Sequence, residues 1–149
     1  TSASLLFTEL PWLAPTIVFI LGLCVGSFLN VCIYRMPRGL SVAWPNSFCP
    51  HTRTPLHWWE NVPVLSFLFL CGRGRVSHQP ISWQYPVVEL FTATVFLMLW
   101  QSFTPPVALC YILMTALFIA GSWIDWQFKI IPDSLTVGGA VAGLIASVW

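Results

Sequence analysis

The chain has 149 residues, of which 57% are apolar and only 7% charged, and its formal net charge is +1. A soluble domain of this size needs far more charge to cover its surface, so the composition favours long apolar runs in a bilayer. The near-zero total gives no sign of a nucleic-acid partner, and membrane lipids are the first partner expected. Of the 6 basic residues, Arg35, Arg38, Arg53, Arg73 and Arg75 fall in one stretch, opposed there only by Glu60.

The first span is expected from about Leu13 to Tyr34, enough for a hydrocarbon core of ~30 Å at ~1.5 Å per residue. Pro11 and Trp12 mark its outer edge, Tyr34 and Arg35 its inner edge. No basic residue precedes it, which argues for an anchor with the N-terminus outside rather than a cleaved signal peptide. Gly22 and Gly26 form a small-xxx-small pair that favours close helix packing. Gly26 to Asn30 is therefore expected to face other helices. Residues 1–35 form the first unit.

Residues 36–85 form a loop rich in Pro, Arg, Trp and His, without a regular helical period. Its apolar patch, Val62 to Leu70, is too short to span and is expected in the interface or under the bundle. The loop holds Cys49, His51, His57, Cys71 and His78, but the pair Cys71 and His78 lacks zinc-ligand spacing, and no metal is expected. Cys24, Cys32 and Cys110 fall in apolar runs, where a thiol behaves as a small hydrophobe. A reducing compartment argues against a bridge between Cys49 and Cys71.

The last unit, residues 86–149, opens with a second span from about Pro86 to Phe103, with Glu89 near its inner end and Trp100 near its outer end. Gln101 to Pro106 forms an uncharged turn, and a third span runs from about Val107 to Ile124. A polar segment with Asp125, Gln127, Lys129, Pro132, Asp133 and Ser134 follows. The final stretch, Leu135 to Trp149, is apolar and short of a full span. The fold class expected is all-α: a polytopic membrane helix bundle of about four spans, the last incomplete, with a long cytoplasmic loop after the first. The positive-inside rule sets the orientation. Trp12, Trp83, Trp100, Trp123 and Trp126 fall near the predicted interfaces, as an aromatic belt does. The start at Thr1 and the stop inside an apolar run are expected of a piece of a longer protein.

Ionisable residues within or beside a span are functional candidates by default, and two qualify: Glu89 and Asp125. Asp125 suits general acid or base work. From the residue alone, a structural pair with Lys129, one helical turn on, is the more ordinary reading. Asp133, after Pro132 and before an apolar run, has the setting of a helix N-cap, directly or through Ser134. An aspartic dyad needs two carboxyl groups close enough to share a proton. The proline-containing segment between Asp125 and Asp133 does not demand that they meet, so the partner of Asp125 is expected outside this chain.

Read together, "GLCVGSFLNVCIYRMPRG", "CPHTRTPLHWWENVPVLSFLFLCGRGR", "QPISWQYPVVEL" and "IDWQFKIIPDSLT" resemble the type IV prepilin leader peptidases, in the order and spacing of that family, from about Gly22 to Thr136. The resemblance implies a bacterial inner-membrane, multi-pass aspartic peptidase of the GxGD type. Its N-terminus would be periplasmic and its 36–85 loop cytoplasmic. It would cut the basic leader from type IV prepilins or type II secretion pseudopilins without a cofactor. Many members also methylate the new N-terminus with S-adenosylmethionine. The resemblance makes Asp125 the first catalytic aspartate and gives Glu60, Asn61 and Glu89 as candidates for contacting the substrate or the methyl-accepting amine. From the residues alone, Glu60 equally suits a solvated loop charge and Glu89 a buried partner of a loop arginine.

Two departures stand out. The family's second aspartate, in a Gly-x-Gly-Asp motif, has no counterpart here. The positions that match the family's paired loop cysteines are Cys49 and Thr52, then Gly74 and Ser77. Two rival readings follow: an inactive remnant or non-catalytic membrane partner of a secretion or pilus assembly, and a transporter or channel subunit with Glu89 and Asp125 as a proton relay.

Overall fold

The computed structural model describes residues 11–44, 55, 57–75 and 77–147. Among these the chain is all helical, with no strand: α1 (Leu13–Arg35), α2 (Leu65–Phe69), α3 (Gln84–Ser102), α4 (Pro105–Phe128) and α5 (Asp133–Ser147), plus 3₁₀ turns at Met36–Arg38 and Trp58–Asn61. The ends follow local chemistry. Pro37 sits in the 3₁₀ turn after α1, and Gly39 takes a left-handed φ of 65° that a side chain would resist. Pro105 and Pro106 open α4, where their missing N–H groups would have been unpaired anyway.

α1 and α3 pack antiparallel and close. A Cβ on Gly22 would lie 2.5 Å from the Cα of Ala93, and one on Gly26 would lie 2.7 Å from the Cα of Glu89. Farther down the same seam the Asn30 amide meets the carbonyl of Tyr85. The expected small-residue face is therefore a helix–helix contact. α4 packs against both helices, and α5 packs against α4. Leu29, Ile33, Val88, Ile119, Ala120 and Ile124 form the core nearest the loop, and Val18, Phe96 and Ile112 form a second cluster toward the other end.

Two helices are long and apolar enough to cross a membrane: the 26 residues Leu13–Arg38 and the 24 residues of α4. α3 has 19 residues but carries Gln84, Glu89 and Gln101, which lower its hydropathy. The 15 residues of α5 reach only ~22 Å at 1.5 Å per residue. Apolar side chains such as Ile17, Phe28, Phe91, Phe118 and Val141 are exposed on the outside of the helices.

One boundary moves. α4 does not end at Ile124 but continues to Phe128, and Lys129 closes it in the left-handed conformation, φ 56°. Asp125 thus belongs to the helix itself and not to a polar connector.

Candidate active site

Asp125 lies in the last turn of α4 and is exposed. It shares one helix face with Phe118, Gly121 and Ser122. That face borders a groove of about 490 Å³ against Leu135, Thr136 and Gly139 of α5. The structural pair with Lys129 does not form. The left-handed turn swings Lys129 off the helical path, and its ammonium lies 5.6 Å from the Trp126 ring centroid. Only the Lys129 N–H meets Asp125, through the backbone carbonyl at 2.9 Å. Among the described residues the Asp125 carboxyl has no hydrogen-bond or ion-pair partner, Asp133 included. Asp133 is the first residue of α5, where an acidic side chain favours the positive end of the helix dipole. The N–H groups of Leu135 and Thr136 in its first turn donate to the carbonyl of Pro132 at 3.0 and 3.3 Å.

A chain of amides fixes how α4 is turned. Gln127 Nε2 donates to Gln84 Oε1. Gln84 Nε2 reaches Asn30 Oδ1 at 3.5 Å, and Asn30 Nδ2 donates to the Tyr85 carbonyl at 3.1 Å. Asn30 is 2% exposed, so its amide would be costly to bury without these partners. At about 100° per residue, a helix puts Asp125 some 200° from Gln127. Holding Gln127 against α3 therefore turns Asp125 out to the groove. Arg38 adds a second tie at this end, with its guanidinium 4.1 Å from the Tyr34 ring centroid and 5.2 Å from that of Phe128.

Glu89 and Glu60 sit elsewhere. Glu89 is buried in α3 at 5% exposure. Among the described residues its partner is a loop backbone: Oε2 accepts the Val64 N–H at 2.7 Å. Ser27 of α1 lies beside the same carboxyl. Val64 itself has φ 59° and ψ −45°, and the N–H of Leu65 closes back on the carbonyl of Pro63. That is a tight γ-type turn, and for a β-branched residue such a backbone costs about 1–3 kcal/mol. Glu60 is not a solvated charge. Its side chain is 5% exposed and lies 3.3 Å from Arg75 Nε, while Oε2 accepts the His57 N–H at 2.7 Å. Asn61 closes the same 3₁₀ turn, and its side chain lies outside the described residues. Glu60 and Glu89 thus hold opposite ends of segment 57–64. No hydrogen bond or ion pair joins either of them to Asp125.

The apolar patch at 62–70 contains α2, whose Phe67 turns inward against Trp83, ring centroids 4.8 Å apart, while Leu68 and Phe69 face outward. Gly74 and Ser77 lie in a tight turn, where the Gly74 N–H donates to the Gln79 carbonyl at 2.9 Å. Cys49, His51 and Thr52 lie outside the described residues, and among those described no three His, Cys, Asp or Glu side chains gather as metal ligands. Sequence reasoning passed over Gln84, Gln127 and Val64. Amides near the ends of two apolar helices were a usable signal for the first two. The positive φ of Val64 leaves none.

The chain matches the bacterial peptidase A24 N-terminal domain over residues 20–103, a stretch that runs from α1 through the loop to the end of α3. It is similar to a prepilin leader peptidase/N-methyltransferase of Klebsiella pneumoniae, 41% identical over 145 residues, covering 92% of this chain and 63% of the relative. A protein of the same name from Myxococcus xanthus is 42% identical over 128 residues, covering 85% of this chain and 38% of the relative. Another from Neisseria gonorrhoeae is 34% identical over 151 residues, covering 85% and 53%. The chain therefore spans 38% to 63% of the length of these relatives. No solved structure matches it. With this match to a contiguous block of helices and loop, and this identity over most of its length, the chain belongs to the bacterial peptidase A24 family.

Proposed function

We propose that this chain supplies the N-terminal domain and the first catalytic carboxyl, Asp125, of an inner-membrane prepilin leader peptidase. The observation that carries the reading is the setting of Asp125: an unpartnered carboxyl at the end of an apolar helix, facing a groove walled partly by Gly121, Ser122 and Gly139. Small residues let an extended peptide backbone come close. In an aspartic mechanism one carboxylate takes a proton from water as the oxygen attacks the peptide carbonyl. A second, protonated carboxyl gives its proton to the carbonyl oxygen, and the nitrogen is protonated as the tetrahedral species collapses. Two carboxyl groups in contact cannot both be ionised, which keeps the dyad in this mixed state. The second carboxyl would come from a Gly-x-Gly-Asp segment, which these 149 residues do not contain.

The loop of 36–85 and the Asp125 end would then lie in the cytoplasm, with the N-terminus periplasmic, four helices in the bilayer, and prepilins or pseudopilins as substrates. Methyl transfer from S-adenosylmethionine has less support. A sulfonium wants an open anionic face, and the carboxyls of Glu60 and Glu89 are both occupied by loop N–H groups. Glu60 and Glu89 are better assigned to the shape of the loop. Asp125→Asn in the full-length protein is expected to abolish leader removal in membranes supplied with prepilin. Cleavage at the wild-type rate would overturn the assignment.

A further inference from the structure

Glu89 is buried among apolar neighbours on α3, yet its partner is the backbone N–H of a residue 25 positions earlier in the chain. Few loop residues would be harder to place there. Val64 is β-branched and half-buried, and its φ of 59° is one that β-branched side chains resist. The turn that it centres joins the 3₁₀ turn Trp58–Asn61 to α2. Without an acceptor at Oε2, Val64 would relax to an extended φ and the direction of the chain would change between the two elements. Gly26, pressed on the Glu89 backbone, sets the position from which Glu89 reaches the loop, with Ser27 of α1 beside the carboxyl.

We infer that Glu89 is a positioning residue: its carboxyl oxygen holds Val64 in a backbone conformation the residue resists, and so fixes loop segment 57–64 against α3. The feature used is an acceptor, not a charge. Glutamine offers the same acceptor at the same reach, whereas leucine offers none. Glycine at position 64 adopts positive φ without resistance and needs no latch. A residue that touched a basic leader or a methyl donor would behave differently, because loss of its charge would matter and a change at Val64 would not compensate. The link to leader removal rests on the peptidase reading above, while the link to loop geometry does not.

The test uses the full-length protein in detergent or membranes, with leader removal and backbone hydrogen exchange as readouts. Glu89→Leu is expected to speed exchange at Leu65 to Leu68 at least tenfold and to lower leader removal by a similar factor. Glu89→Gln is expected to stay within about threefold of wild type on both measures, in keeping with the retained hydrogen-bond acceptor. Val64→Gly in the Glu89→Leu background is expected to restore slow exchange at Leu65 to Leu68 and most of the cleavage. Glu89→Gln as damaging as Glu89→Leu, or no rescue by Val64→Gly, would overturn the inference. If Glu89→Leu does not accumulate, Glu89→Gln decides alone. No leader removal by the wild-type full-length protein would sink the peptidase reading and leave the exchange result standing.

Discussion

Gly26 presses its bare Cα against Glu89: a Cβ on Gly26 would come within 2.7 Å of the Glu89 Cα and 3.1 Å of the Val88 carbonyl oxygen. Both contacts are backbone, so no side chain can swing aside to make room. Gly26→Ala is expected to force α1 and α3 apart, at about 1–3 kcal/mol for overpacking. A thermal midpoint in detergent lowered by several degrees would show it, and an unchanged midpoint would mean that the helices are not this close. Gly121→Ala is the control, since a Cβ there meets nothing within 4 Å.

The same open space at Gly121 offers a way to close the groove without unfolding the helix. Gly121 lies one turn before Asp125, on the groove face. Gly121→Phe is expected to leave the thermal midpoint near wild type, since a Cβ there meets nothing within 4 Å and glycine is the poorer helix former of the two. Leader removal is expected to fall more than about tenfold, as a misplaced substrate loses attack geometry. A plugged groove with full cleavage would put the substrate path elsewhere.

Gln127→Leu removes the donor that ties the end of α4 to Gln84 and, through it, to Asn30. Asp125 would then lose the restraint on its direction. A fall in kcat of roughly tenfold with little change in KM is expected, because displacement of reacting groups by about 1 Å can cost on the order of 100-fold. A change confined to KM would argue against this orienting role.

Arg75 pairs with Glu60 at 3.3 Å, but the arginine is 39% exposed. Such a half-solvated pair contributes about 0–1 kcal/mol. Arg75→Ala is therefore expected to speed exchange across 57–64 less than about threefold, well below the effect of Glu89→Leu. Equal effects would show that the ion pair, and not the Glu89 acceptor, holds the segment.

The helices themselves were legible because their signals are local. Apolar runs with tryptophans, prolines and a basic edge place α1, α3 and α4 to within a few residues, and the Gly22–Gly26 spacing announces the α1–α3 contact. The motifs that resemble prepilin leader peptidases were equally plain, since they sit in short contiguous strings. The end of α4 was less so, because Asp125, Gln127 and Lys129 look like a polar connector until Lys129 is seen to close the helix in a left-handed turn.

Partnership was decided only by the tertiary structure. Periodicity gives no way to know that Glu89 would take a loop N–H, that Glu60 would be tied to both Arg75 and His57, or that Asp125 would stay unpaired while Gln127 was bound. The sequence by itself determined a set of long apolar helices with one basic loop and a short roster of acidic residues. The direction of Asp125 toward a groove and of Glu89 toward Val64 came from packing: burying Asn30 and the faces of Gly22 and Gly26 leaves α3 and α4 one way to turn, and that rotation carries each carboxyl to its place.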